Sequence, residues 1–168
     1  SYESLTKQVE RIEKKEVVGQ NAVFVKADRS SRKEVLEEYL LALIIQHDNV
    51  KIVFDKVIKT LKDYTFETPS YKKILDSLSV YFKRDKAFDN KKFLSMLPKE
   101  LVKTFDVCFL LPLPKFLDNS IYEEEVEKVA RELRMLFLKN KIKLITINLK
   151  NEEKEKHSKE IDRLEKEL

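Results

Sequence analysis

Apolar positions recur at helical spacing along almost the whole chain. Tyr2, Leu5, Val9 and Ile12 form a thin stripe on a first predicted helix, which Gly19 ends as a C-terminal cap. Residues 20–30 lack a helical period and read as a connector, with Val23, Phe24 and Val25 as its docking points. Ser31 and Glu34 have the spacing of a capping box, and Val35 to Ile45 is apolar nearly all round, the pattern of a helix at the centre of a bundle. His47-Asp48-Asn49 breaks that helix, with His47 expected near its last carbonyls. Val50, Val53, Phe54, Val57, Ile58 and Leu61 then mark another amphipathic helix.

Thr68-Pro69 predicts the next helix start, because proline is tolerated where the backbone N–H has no intrahelical partner. Its stripe is Tyr71, Ile74, Leu75, Leu78, Tyr81 and Phe82. Asp89 caps a short segment carrying Phe93, Leu94 and Leu97, and Pro98 starts a helix with Leu101, Val102 and Phe105 on one face. Leu110-Leu111-Pro112-Leu113-Pro114 cannot be helix interior, so it reads as an extended crossover and the main boundary of the chain.

Beyond it, Ser120 and Glu123 have capping-box spacing, and Glu123, Glu124 and Glu125 suit the positive end of a helix. The stripe Val126, Val129, Ala130, Leu133, Leu136, Phe137 shifts to Leu138, Ile142, Ile145, Leu149, a rotation of more than a quarter turn near Leu138. One helix whose two halves face different partners explains the shift. Lys141 to Leu149 also half alternates and is rich in β-branched residues, but a lone strand would leave its ladder groups unpaired, so helix is favoured. His157, Ile161, Leu164 and Leu168 share a face on a last helix, with Asn151 marking the turn of a hairpin. The expected fold is all-α, a multi-helix bundle followed by a C-terminal helical hairpin. Its parts are an N-terminal helix and connector (1–31), a bundle (32–119), and a long helix with the hairpin (120–168).

Composition narrows the chemistry. One glycine in 168 residues, against about 12 at the usual ~7% frequency, rules out a phosphate-cradling loop, a dinucleotide fingerprint and a nucleophile elbow. Hydrophobic residues at 42%, with six Tyr and ten Phe, are enough for a core. A single cysteine and two distant histidines cannot build a tetrahedral metal site, so no cofactor is expected. Cys108, between Val107 and Phe109, reads as a buried inert thiol, and the lone cysteine fits a reducing, cytoplasmic setting. No signal peptide or membrane span is visible, and a start without methionine is expected of an excised segment. The carboxylate clusters follow helix starts and read as solvated, so an active site is not expected.

Lysine and arginine number 34 against 30 acidic residues, a net charge of +4 that permits nucleic-acid contact without demanding it. Lys83, Arg84, Lys86, Lys91 and Lys92 form the one local basic cluster, beside Tyr81, Phe82, Phe88 and Phe93. Basic plus aromatic is the pattern of single-strand binding, though each aromatic also falls at a core or anchor position. Residues 120–168 instead carry 12 basic and 12 acidic residues around an apolar edge, which suits protein binding.

Three stretches are similar to the C-terminal, helicase-binding domain of bacterial DnaG-type DNA primases. The first is Glu37-Glu38-Tyr39-Leu40-Leu41-Ala42-Leu43-Ile44-Ile45-Gln46, like the opening core helix of that domain. The second runs from Phe66 through Phe82 and then from Phe88 to Leu101, with a Leu97-Pro98-Lys99-Glu100-Leu101 helix start. The third is the acidic helix start at Glu123, followed by a long helix and a Glu/Leu-rich end. The resemblance implies a non-catalytic adaptor, monomeric when alone, whose hairpin docks on the N-terminal domains of the hexameric replicative helicase. The expected contact residues are Lys159, Ile161, Arg163, Leu164, Lys166 and Leu168. The family's bundle also resembles the helicase's own N-terminal domain, which is an alternative reading. Single-stranded nucleic-acid binding through the basic cluster is another.

Overall fold

The computed structural model describes residues 31–168; the first predicted helix, the Gly19 cap and the connector 20–30 lie outside the described residues. Every regular element among the described residues is an α-helix, as the periodicity predicts. In chain order these are α1 (Arg32–Gln46), α2 (Val50–Leu61), α3 (Pro69–Arg84), α4 (Asn90–Met96), α5 (Lys99–Leu110) and α6 (Asn119–Glu167). They form two compact units, one of residues 31–46 and 66–113, the other of residues 47–65 and 114–168. The last of the three divisions falls at Leu113/Pro114, inside the proline-bearing crossover. Helix α2 belongs with α6, so the expected 32–119 bundle gives up one helix to the C-terminal unit.

In the first unit α1 packs against α3 and α5. Leu40 to Ile44 are fully buried, as a helix apolar on all sides requires. Its start matches the expected cap, with the Glu34 N–H donating to Ser31 Oγ at 3.3 Å. At its other end the Gln46 side-chain amide donates to the Cys108 and Leu111 carbonyls (2.8 and 2.9 Å), satisfying the last turn of α5. Pro69 occupies the first turn of α3, but the Thr68 side chain makes no capping bond. The carboxylate of Glu37, fully buried on α1, accepts the N–H groups of Glu67 (2.6 Å) and Thr68 (3.0 Å) instead.

Cys108 is buried, and removal from water pushes its thiol up to about 12, in accord with the inert role expected of it. Burial, and then its hydrogen bond to Glu38 Oε2 (2.6 Å), also raise the Tyr71 hydroxyl. Both groups hold their protons more tightly folded than unfolded. Their contribution is therefore full below the unfolded value, 9.0 for the thiol, and declines as pH rises above it. Urea titrations between pH 8 and pH 11 are expected to lose stability upward from about pH 9, with Cys108 contributing up to about 1.4 kcal/mol per pH unit. A flat profile contradicts the assignment, and Cys108→Ala is expected to shallow the slope.

In the second unit α2 packs on the first five turns of α6, burying Val50, Val53, Phe54, Val57 and Leu61 with Val126, Val129, Ala130 and Leu133. Lys56–Glu123 (2.6 Å) and Arg134–Asp63 (3.5 Å) pair across the same seam, and Tyr64 meets Phe137 ring edge to face at 5.6 Å. The His47 ring, expected at the carbonyls of α1, bonds forward: Nδ1 accepts the Asn49 N–H at 2.9 Å, and the ring packs edge-on to Tyr122. The cap of α6 also differs from expectation. Asp118 accepts the Ile121 N–H at 2.9 Å, two residues before the predicted Ser120.

With no glycine in this region, Lys62 ends α2 at φ 53°, the one positive-φ residue described. A side chain there is strained, and glycine relieves the strain. Lys62→Gly is expected to raise stability by about 0.5–1 kcal/mol in urea denaturation; a loss of stability contradicts this.

The expected hairpin is not present. Helix α6 runs unbroken through Asn151 to Glu167. Asparagine alone costs only about 0.5 kcal/mol in a helix interior, and neither glycine nor proline reinforces it here. Glu152 and Lys156, Glu155 and Lys159, and Asp162 and Lys166 stand four apart in the order that supports a helix. Lys141 to Leu149, the possible strand, is helical as favoured.

Candidate functional site

The basic cluster is assembled where α3 meets α4. Lys83 and Arg84 end α3, Lys86 lies in the connecting loop, and Lys91 and Lys92 open α4 over the Asp89 cap. All five are exposed. Lys92 is held by Asp85 at 2.9 Å, a bond that raises its ammonium pKa. The neighbouring aromatics are committed to one another. Tyr81 meets Phe82, Phe88 and Phe93 edge to face at 5.5–5.7 Å, and Phe93 continues the row to Phe105. The Tyr81 hydroxyl donates to the Ala87 carbonyl and accepts the Asp89 N–H, fixing the loop. Stacking on bases needs a free ring face, which the buried Tyr81 and Phe93 lack, while Phe82 and Phe88 are half-buried.

The other candidate surface is the distal part of α6. From Lys139 to Leu168 every residue is exposed, a helical extension of about 43 Å at ~1.5 Å per residue. The side chains are far from uniformly polar. Ile142, Leu144, Ile145, Ile147 and Leu149 are 45–65% exposed, and Ile161 and Leu164 are about half exposed. Isolated helices in water are marginal, and an apolar stripe on one normally faces a partner. Among the expected contact residues, Ile161, Leu164 and Leu168 share one face, with Lys159, Arg163 and Lys166 on the same last turns.

Five further residues belong to this surface. Met135, Leu138, Ile142, Ile145 and Leu149 follow one another at alternating separations of three and four, the a/d spacing of a coiled coil. The last four are the residues expected inside a hairpin, yet neither glycine nor proline stands near Asn151 to turn it. Leu144 and Ile147 lie on the opposite face, which continues the side buried against α2. Lys141 covers part of the near end, its Nζ 5.8 Å from the Phe137 ring centroid.

Among the described residues no three His, Cys, Asp or Glu side chains gather as a metal site would require, and no helix is long and apolar enough to cross a membrane. No protein family, curated protein or solved structure matches the chain.

Proposed function

We propose that the chain is the helicase-binding module of a bacterial DnaG-type primase, non-catalytic in itself. In this reading it docks on the N-terminal domains of the hexameric replicative helicase and so couples primer synthesis to unwinding at the cytoplasmic replisome. The observation that carries the reading is the exposed length of α6. It combines large apolar side chains with charges of both signs, and its own unit covers none of them. A helix docks into a partner's groove through apolar anchors at i, i+3 or i+4, and i+7, the spacing of Ile161, Leu164 and Leu168. Ile161, Leu164 and Leu168 are the anchors, and Lys159, Arg163 and Lys166 frame them. The three resembling stretches fall on α1, on α3 to α5, and on α6, in the order of the primase domain.

Isothermal titration of the chain into the N-terminal domain of such a helicase tests the reading. Saturable heat with a dissociation constant at or below the micromolar range is expected. No heat at tens of micromolar contradicts it.

A further inference from the structure

We infer that two copies of this chain pair antiparallel through the exposed part of α6, about a two-fold axis at Glu153. A hairpin would cover the apolar residues of this region within one chain; the unbroken helix leaves them for a second copy.

The register is written in the spacing. Leu138, Ile142, Ile145 and Leu149 are separated by four, three and four residues. His157, Ile161, Leu164 and Leu168 are separated by four, three and four as well. Laid antiparallel, the two seams match rung for rung: Leu138 against Leu168, Ile142 against Leu164, Ile145 against Ile161, and Leu149 against His157. Each rung joins an a position to a d position, the pairing that antiparallel coiled coils use. The two-fold axis repeats the four rungs, so both seams of both helices are covered in one closed, self-complementary contact.

Charge selects the same arrangement. Between Leu138 and Lys150 the only charged residues are Lys139, Lys141, Lys143 and Lys150. Between Asn151 and Leu168 carboxylates outnumber basic side chains. In the antiparallel register the positions flanking the rungs set Lys139 beside Glu165 and Lys141 beside Glu167, opposite charges at both places. A parallel pair would set the lysine-rich halves against each other. On a straight helix the second seam lies about 100° round from the first. The run Ile145, Leu149, Glu153, His157 and Ile161, each four apart, calls for a right-handed wrap that keeps both seams in one contact. Glu153 meets its own copy at the axis, a local repulsion that keeps the pair reversible. Pairing covers Ile161, Leu164 and Leu168, so a second copy and the proposed helicase partner compete for the same residues.

Sedimentation equilibrium of the full chain at about 100 µM tests the inference without a helicase. Twice the 20.0 kDa chain mass is expected, and a single-chain mass overturns it. Two charge-reversed variants fix the orientation: Lys139→Glu with Lys141→Glu, and Glu165→Lys with Glu167→Lys. All four positions are exposed, so folding is unaffected and dichroism spectra should match. Each variant alone is expected to pair at least about tenfold more weakly than the natural chain, and an equimolar mixture to recover the natural affinity. Either variant alone keeping the natural affinity, or a mixture that fails to recover it, overturns the inference.

Discussion

Removing residues 139–168 is expected to abolish the proposed helicase binding, a loss of at least about 100-fold or ~2.7 kcal/mol, while the rest of the chain keeps its stability. No residue from Lys139 onward is buried, so the cut takes nothing from the core. The α6 residues packed with α2, Val126 to Leu133, lie before it, as do Glu123 and Arg134 with their ion pairs. The thermal midpoint should therefore move by no more than a few degrees. A cut at Asn119, where the sequence alone divides the chain, removes all of α6. It would expose Val50, Val53, Phe54, Val57 and Leu61 together, and the second unit would unfold. Undiminished binding by the chain ending at Leu138 contradicts the assignment of the surface.

Glu37→Ala is expected to cost about 3 kcal/mol, the largest effect of any polar substitution in the first unit. Its carboxylate is fully buried and accepts two backbone N–H groups at the entry to α3. Alanine leaves both donors without acceptor, at about 1–3 kcal/mol for each unsatisfied group, and opens a cavity. Glu37→Gln keeps one carbonyl oxygen and should lose about half as much. Urea denaturation measures both, and a cost below about 0.5 kcal/mol for alanine contradicts the capping role.

These two predictions mark what the sequence reveals and what it hides. Helix identity is legible because the apolar period is strong in α2, α3 and α5, and proline and aspartate announce the starts at Pro69, Asp89 and Pro98. The role of Glu37 is hidden, since its partners stand about 30 residues away and a carboxylate close behind a helix start reads as solvated. The aromatic pattern around Lys83 to Lys92 was ambiguous for a related reason. A ring stacked on a base and a ring packed on Phe93 have the same sequence, and only the fold distinguishes them. Helix α2 reads as part of the bundle because its stripe does not say which helix covers it. The hairpin turn was inferred from two apolar faces and one asparagine. Helical propensity and charge pairs four apart outweigh that single weak breaker.

The measurement that bears most directly on the docking claim compares the intact chain with Ile161→Glu and Leu164→Glu in one series of titrations against the helicase N-terminal domain. Both side chains are about half exposed on a helix their own unit leaves uncovered, so thermal midpoints should agree within a few degrees. The intact chain is predicted to bind, and each substitution to weaken binding at least about tenfold, as expected of an anchor residue. Equal affinities across the series, with the fold intact, would contradict the account.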